Sequence, residues 1–351
     1  RTFLHRIAAL GVAGSAAPLA TSLGWISEAA AASVQPDYKA LVCVFLHGGN
    51  DYGNTLPPYD AQSYNQYLAI RPSLAIPHGK LAATALTPAN DLGGRQYALN
   101  PSMTPLLPLF NDGKLEPTTR EQFYKKSVRL PPKLFSHNDQ HAFAQASQPE
   151  GASDGWGGRI GDLLQSANGT AALTCMTING DALFLSGQNV APYTIGPGHV
   201  QELLFGYKRS DYYNLRQLMT ADTNCFFGQE YAKTSKRMFD IGETLPMALA
   251  SAGEEQFPGF AKDNGLANQL KMVARLISIA PSLGLKRQVF FVGMGGWDMH
   301  SNLSGVHPAM LAKLSDALAC FYNTTVRLGV ENQVTSFTAS EFGRSLGENG
   351  D

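Results

Sequence analysis

The chain has 351 residues, 44% of them apolar, which is enough for a large core, and its 27 basic and 28 acidic side chains leave a formal net charge of -1. Near-neutral charge scattered along the chain gives no electrostatic footprint for nucleic acid or an anionic membrane, so no nucleic-acid partner is expected. Cys43, Cys175, Cys225 and Cys320 are isolated, with no C-x-x-C pair, which gives no support to a thiolate metal site and makes any disulfide depend on an oxidising compartment.

Arg1-Thr-Phe-Leu-His-Arg6 precedes an Ala/Gly-rich run from Ile7 to Ile26 and the small residues Ala29 to Ala32. This pattern predicts an export signal over residues 1–33, ahead of one α/β domain over 34–351. Gly11, Gly14, Pro18 and Gly24 interrupt the run, so no stable membrane span is expected. The opening residues resemble a twin-arginine signal whose first arginine lies just before Arg1. Such a leader implies the twin-arginine export machinery as a partner and the periplasm or cell envelope as the destination.

Leu41 to Leu46 is a β-rich apolar run stopped by Gly48-Gly49, and it predicts a buried strand. Asn50, Asp51 and Asn54 follow it and place oxygen ligands where open α/β sheets bind their ligands. Tyr59 to Ile70 predicts a short helix and residues 73–100 an excursion. Pro101 to Phe110 is expected to be helical, with Met103, Leu106, Leu107 and Phe110 on one face. Further helices are expected over His141 to Ala146 and Ile160 to Ser166, the latter opened by Gly155-Trp-Gly-Gly-Arg159. Ala172 to Ile178 is a strand candidate. Residues 181–260 read as an insertion with helical stretches over Tyr207 to Met219 and Glu230 to Ala250. Gly265 to Ile279 predicts a helix, Arg287 to Gly293 a strand, Pro308 to Leu328 a long helix and Gln333 to Ala339 a last strand. Strands separated by helices predict a mostly parallel α/β sheet flanked by helices.

Two later strands repeat the design of the first. Val292-Gly-Met-Gly-Gly-Trp-Asp298-Met-His300 follows an apolar strand with glycines and then metal-type ligands. Residues two apart in an extended segment face one way, so Asp298 and His300 can serve one metal; a tight turn whose Asp caps the next helix is the plainer alternative. Glu341 also follows a strand, and Arg344 supplies a cation suited to an oxyanion, or simply an ion-pair partner for Glu341. Ser136-His137 is a candidate nucleophile with a partner. Adjacent residues in an extended segment point apart, so Ser136 would need a metal or a remote base, and capping of the following helix is its structural alternative. Gly151-Ala-Ser153-Asp-Gly155 matches the G-x-S-x-G pattern of hydrolase elbows, but the polar, proline-broken stretch before it is no strand.

Gly48 to Asn54, Ser136 to Gln140, Gly155 to Arg159, Gly296 to His300 and Ser340 to Arg344, in this order, resemble the exported bacterial family labelled domain of unknown function 1501. That family resembles the alkaline phosphatase and sulfatase superfamily, whose members use one or two divalent metals and a hydroxyl or modified Cys nucleophile. The resemblance implies an alkaline-phosphatase-like sheet with Asp51, Asp298, His300 and Glu341 as ligands of Zn, Ca, Mg or Mn. It makes Ser136 the nucleophile with His137 beside it, and Asn54 and Arg344 contacts to a small anionic ester substrate. Relatives carry a further His-bearing motif after Ser-Glu-Phe-Gly-Arg and an apolar strand after Gly-Lys-Leu. Here the chain ends at Asp351 and Glu116 follows Leu115, so a sheet and a ligand set incomplete toward the C-terminus are expected. The implied function is an exported metal-dependent phosphate or sulfate ester hydrolase; the alternative is a non-catalytic envelope protein that binds a ligand or partner on the same fold.

Overall fold

A computed structural model describes residues 38–116, 133, 136–148, 151–178, 180, 182–198, 209–221 and 224–348. The expected export signal, and all but the first residue of the polar stretch Glu116 to Glu121, lie outside the described residues.

Five strands form one parallel sheet in the order β3-β2-β4-β1-β5. They are β1 (Lys39–Leu46), β2 (Cys175–Thr177), β3 (Tyr193–Thr194), β4 (Arg287–Met294) and β5 (Val334–Ser340). The continuous apolar runs of β1 and β4 are covered on both faces, as a parallel sheet requires. Val42, Val44, Leu46, Phe290 and Val292 face the larger core cluster, while Cys43, Phe45, Val289 and Phe291 face the smaller one.

The helices used below are α1 (Ala61–Ile70), α2 (His137–Ala146), α3 (Trp156–Leu164), α4 (Arg209–Met219), α5 (Phe226–Ala250), α6 (Gly265–Ile279) and α7 (Leu303–Arg327). Helix α6 begins and ends where its apolar period predicts, with Asn264 capping it by accepting from the Leu266 and Ala267 amides. Its buried Gln269 donates to the Gly293 carbonyl at 2.8 Å and accepts from the Gly293 amide at 2.9 Å, which ties α6 to the end of β4.

Several boundaries differ from expectation. Helix α7 starts before Pro308, which lies inside it; the chain turns at Asn302, in the left-handed region at φ 53°, rather than at the proline. Helix α3 includes Trp156, Gly157 and Gly158; the first two pack against Phe184 and Gly158 against the Ser186–Gly187 backbone. Helix α2 starts at His137 rather than His141. The Pro101 to Phe110 segment divides into a 3-10 helix, Pro101–Leu106, and a short α-helix, Leu107–Asn111, with Met103 and Leu106 buried. The 181–260 insertion holds helices, as expected, but also contributes β3 to the sheet edge; two residues flanked by turns carry no readable period.

Register aligns the carboxyl ends of three strands. Leu46 pairs with Met294 on one side and Ser340 on the other, so His47, Gly295 and Glu341 leave the sheet at one level. Gly48 then turns at φ +120°, and a Cβ there would lie 2.1 Å from the Asp298 amide nitrogen. Only glycine permits this approach of the β1 and β4 loops. Gly48→Ala is therefore expected to cost on the order of 3 kcal/mol through strain and overlap. Gly295→Ala, where an added Cβ meets nothing within 4 Å, is the control expected to stay within about 1 kcal/mol. Urea unfolding midpoints of the two variants check this.

Candidate functional site at the carboxyl edge of the sheet

Glu341 leaves β5 with its side chain only 4% exposed. Its Oε1 accepts from the Gly48 amide at 2.6 Å and lies 3.2 Å from His137 Nδ1, so one carboxylate joins the β1 loop to α2. On the far side of the same ring, His137 Nε2 is 3.5 Å from Asp298 Oδ2. Asp298 Oδ1 in turn meets His300 Nε2 at 2.9 Å and Arg344 at 3.3 Å. Burial alone would raise the Asp298 pKa, but hydrogen bonds from Arg344 and His300 and the nearby His137 outweigh it and hold the carboxyl below its usual range.

Two further imidazoles stand against this group. The His47 and His141 rings lie 5.4 Å apart between centroids, and both pack on Phe45. The His141 Nε2 is 2.8 Å from the Gln145 amide nitrogen, whose oxygen accepts from the Phe184 amide, so the ring is held from one side. Burial lowers the pKa of both imidazoles; for His47 the neighbouring His141 adds to the effect and Glu341 opposes it, while for His141 Glu341 opposes it and His137 adds to it. Both rings are thus biased to the neutral, proton-accepting form.

The structure brings together His137, Asp298, His300, Glu341 and Arg344, and gives the other expected site residues, Asp51, Asn54 and Ser136, different partners. Asp51 faces inward, 1% exposed, and its two oxygens accept from Arg71 at 2.9 and 3.0 Å while Oδ1 also caps the Tyr52–Thr55 turn through the Gly53 amide. Asn54 is equally internal: it donates to the Leu74 carbonyl at 2.9 Å and accepts from the Tyr67 hydroxyl at 2.6 Å. Ser136 caps α2. Its Oγ donates to Asp139 Oδ2 at 2.7 Å and accepts from the Asp139 amide at 3.3 Å, an N-cap that explains both why the helix starts at His137 and what the hydroxyl does. Arg344 donates to the carbonyls of Gly48, Trp297 and Met299 besides Asp298, and so clamps two loops rather than presenting an open fork.

His47 and His141 were not expected here. The signal for His141 is the capping pattern Ser136-x-x-Asp139, which starts the helix early and puts His137 and His141 one turn apart on one face. His47 is flagged only by its place at the end of β1.

Carboxylate oxygen and imidazole nitrogen are donors suited to zinc, manganese and similar divalent ions, so Asp298, His300, Glu341 and His137 fit such an ion in kind. Their carboxylates are turned onto imidazoles and Arg344, and among the described residues no three His, Cys, Asp or Glu side chains form a group that could hold an ion as placed. Asp298 and His300 have side chains 41% and 73% exposed, so reorientation costs little packing.

Behind the edge, His307 is 1% exposed with Nε2 3.0 Å from Asn50 Oδ1 and Nδ1 without a hydrogen-bond partner. A neutral ring donating through Nε2 satisfies this arrangement, whereas protonation would bury an unpaired N–H. Burial, opposed by Asp51 and aided by Arg71 and Arg344, lowers the His307 pKa to about 4.

The parallel sheet defines an α/β protein, and its polar side chains gather beyond the carboxyl ends of the strands, where such sheets usually bind ligands. The family described as "Protein of unknown function (DUF1501)" matches residues 38–351, and the chain belongs to it. No curated protein and no solved structure matches the chain.

Two measurements test these assignments. Arg71→Met strands the buried Asp51 charge and is expected to cost about 3–5 kcal/mol in chemical denaturation. Because the folded His307 pKa lies below that of the unfolded chain, its contribution is complete above the unfolded value and is lost as pH falls from about 6.5 toward about 4. His47 and His141 act in the same direction. Unfolding free energy should therefore fall by about 3 kcal/mol through His307 over that window, and a His307→Leu variant should show a flatter profile.

Proposed function

We propose that the chain hydrolyses small anionic esters, phosphate or sulfate, at the carboxyl edge of its sheet with one or two divalent metal ions. The observation that carries this reading is the gathering of four imidazoles, His47, His137, His141 and His300, with Asp298 and Glu341 around three adjacent strand ends. Asp298, His300, Glu341 and His137 would hold the ion, which when bound polarises the ester oxygen and lowers the pKa of an attacking water.

The chain's own residues supply the proton chemistry. His47 and His141, biased neutral by burial, are the candidate acceptors for the proton of that water. Glu341 holds the His137 ring and the Gly48 amide in place, and Arg344 fixes Asp298 against the Trp297–Met299 loop. Ser136, engaged as a helix cap, is replaced as nucleophile by water in this reading. Export through the twin-arginine machinery to the periplasm or cell envelope, proposed from residues 1–33, would deliver the domain folded and loaded.

A second reading is a non-catalytic envelope protein that binds an anionic ligand or a partner on the same edge. Its support is that the Ser136 hydroxyl and the Arg344 fork are already engaged within the fold.

The test is hydrolysis of an aryl phosphate and an aryl sulfate by the purified chain, with zinc, calcium, magnesium or manganese added singly and then removed by chelator. Chelator-sensitive turnover is expected, with His47→Gln and Glu341→Gln each lowering kcat/KM by about 100-fold or more. Ser136→Ala should leave kcat/KM unchanged while costing about 1 kcal/mol of stability. Turnover indifferent to both chelator and Glu341→Gln overturns the proposal, and calorimetric binding of phosphate or sulfate without turnover selects the second reading.

A further inference from the structure

The hairpin of α4 and α5 leaves several large apolar side chains exposed. Phe226 and Phe227 at the start of α5 are 71% and 79% exposed, and Leu218 near the end of α4 is 75% exposed. The buried residues of α5, Ser235, Phe239, Ile241, Leu245 and Leu249, all lie from Ser235 onward, so in the first part of the helix even Phe227 and Tyr231, on the side that is buried farther along, stand exposed. Opposite that side, Phe226, Glu230, Lys233 and Arg237 fall on one stripe, separated by four, three and four residues, which is the spacing of a coiled-coil seam.

The chemistry along this stripe is self-complementary. Set antiparallel about a two-fold axis between Glu230 and Lys233, a second copy places its Arg237 over Phe226 and its Lys233 against Glu230, and the same contacts recur in reverse. The pairs are a guanidinium on an aromatic face and an acid with a base, both favourable. Within one chain, Lys233 Nζ lies 3.7 Å from Glu230 Oε1, with side chains 79% and 54% exposed, a pairing of little worth in water. An anionic bilayer or a uniformly charged partner would match one sign of this stripe and be opposed by the other. A second copy matches both, and closed two-fold dimers are the commonest assembly of identical chains.

We propose that this stripe is the contact surface of a two-fold dimer of the chain, α5 against α5, with Leu218 and Phe227 closing its flanks. About three turns of seam make a small contact, so the dimer is reversible rather than obligate.

Sedimentation velocity of the full chain across the micromolar range tests it. Mass is expected to rise toward twice the monomer with concentration. Lys233→Glu should weaken dimerisation about 10-fold or more by setting like charges opposite each other, Phe226→Ser should weaken it likewise, and the double exchange Glu230→Lys with Lys233→Glu should restore it. The substituted side chains are exposed, so thermal unfolding of each variant should match the parent. A chain that stays monomeric throughout, a Lys233→Glu variant that dimerises as well as the parent, or a double exchange that fails to recover overturns the proposal, as does binding to anionic vesicles by the monomer without self-association.

Discussion

The alignment of three strand ends is the constraint on which the rest of this edge depends. Leu46 is flanked by Met294 and Ser340, and parallel pairing gives no freedom to shift any of the three without turning its side chains to the wrong face. Once that register is set, the loops leave the sheet side by side and must share a narrow space. Gly48 resolves the crowding by its lack of a side chain, and the amide it exposes is taken by Glu341. Gly49, at φ +89°, is pressed similarly against the Phe342 ring. The polar groups above this floor are thus located by backbone packing before any of their own contacts is considered.

Two polar systems lie on either side of the β1 loop, and they differ in exposure. The inner one contains Asp51, Arg71, Asn54, Tyr67 and His307, all buried: Asp51 is held by Arg71, Asn54 by Tyr67, and His307 meets the Asn50 side chain. The outer one contains His137, Asp298 and His300, whose side chains are 43%, 41% and 73% exposed. A buried ion pair adds little net stability, yet removing one partner is costly, so the inner system serves to fix the loop. The outer one retains the freedom that ligand exchange needs.

Much of this was legible in the sequence. The apolar runs of β1 and β4, the period of α6 and the parallel arrangement follow from residue pattern alone, and Asp298, His300, Glu341, Arg344 and His137 do meet at one edge. Asp51 was misleading because oxygen ligands and helix caps use the same residue type after a strand, and its partner Arg71 lies 20 positions on with no periodic link to it. Ser136 was ambiguous for a related reason: a hydroxyl before a helix can cap or react, and only the placement of Asp139 decides. Pro308 suggested a helix start that the turn at Asn302 supersedes. Neither His47, seen only as part of His47-Gly48-Gly49 with its likeness to a lipase oxyanion motif, nor His141 was among the expected site residues, because a lone imidazole on an apolar background acquires meaning only from what packs beside it.

The contacts that define the edge join distant parts of the chain. Gly48 meets Glu341 across 293 positions, and His137 meets the same carboxylate across 204. During synthesis the Gly48 amide and His137 Nδ1 therefore lack this shared partner until Glu341, just after β5, has left the ribosome. Loop-closure entropy must be met before such non-local contacts reward it, which slows folding and keeps hydrophobic strands exposed while the chain is unfinished. The polar edge is thus completed late in synthesis, once Glu341 has followed β5 out of the ribosome.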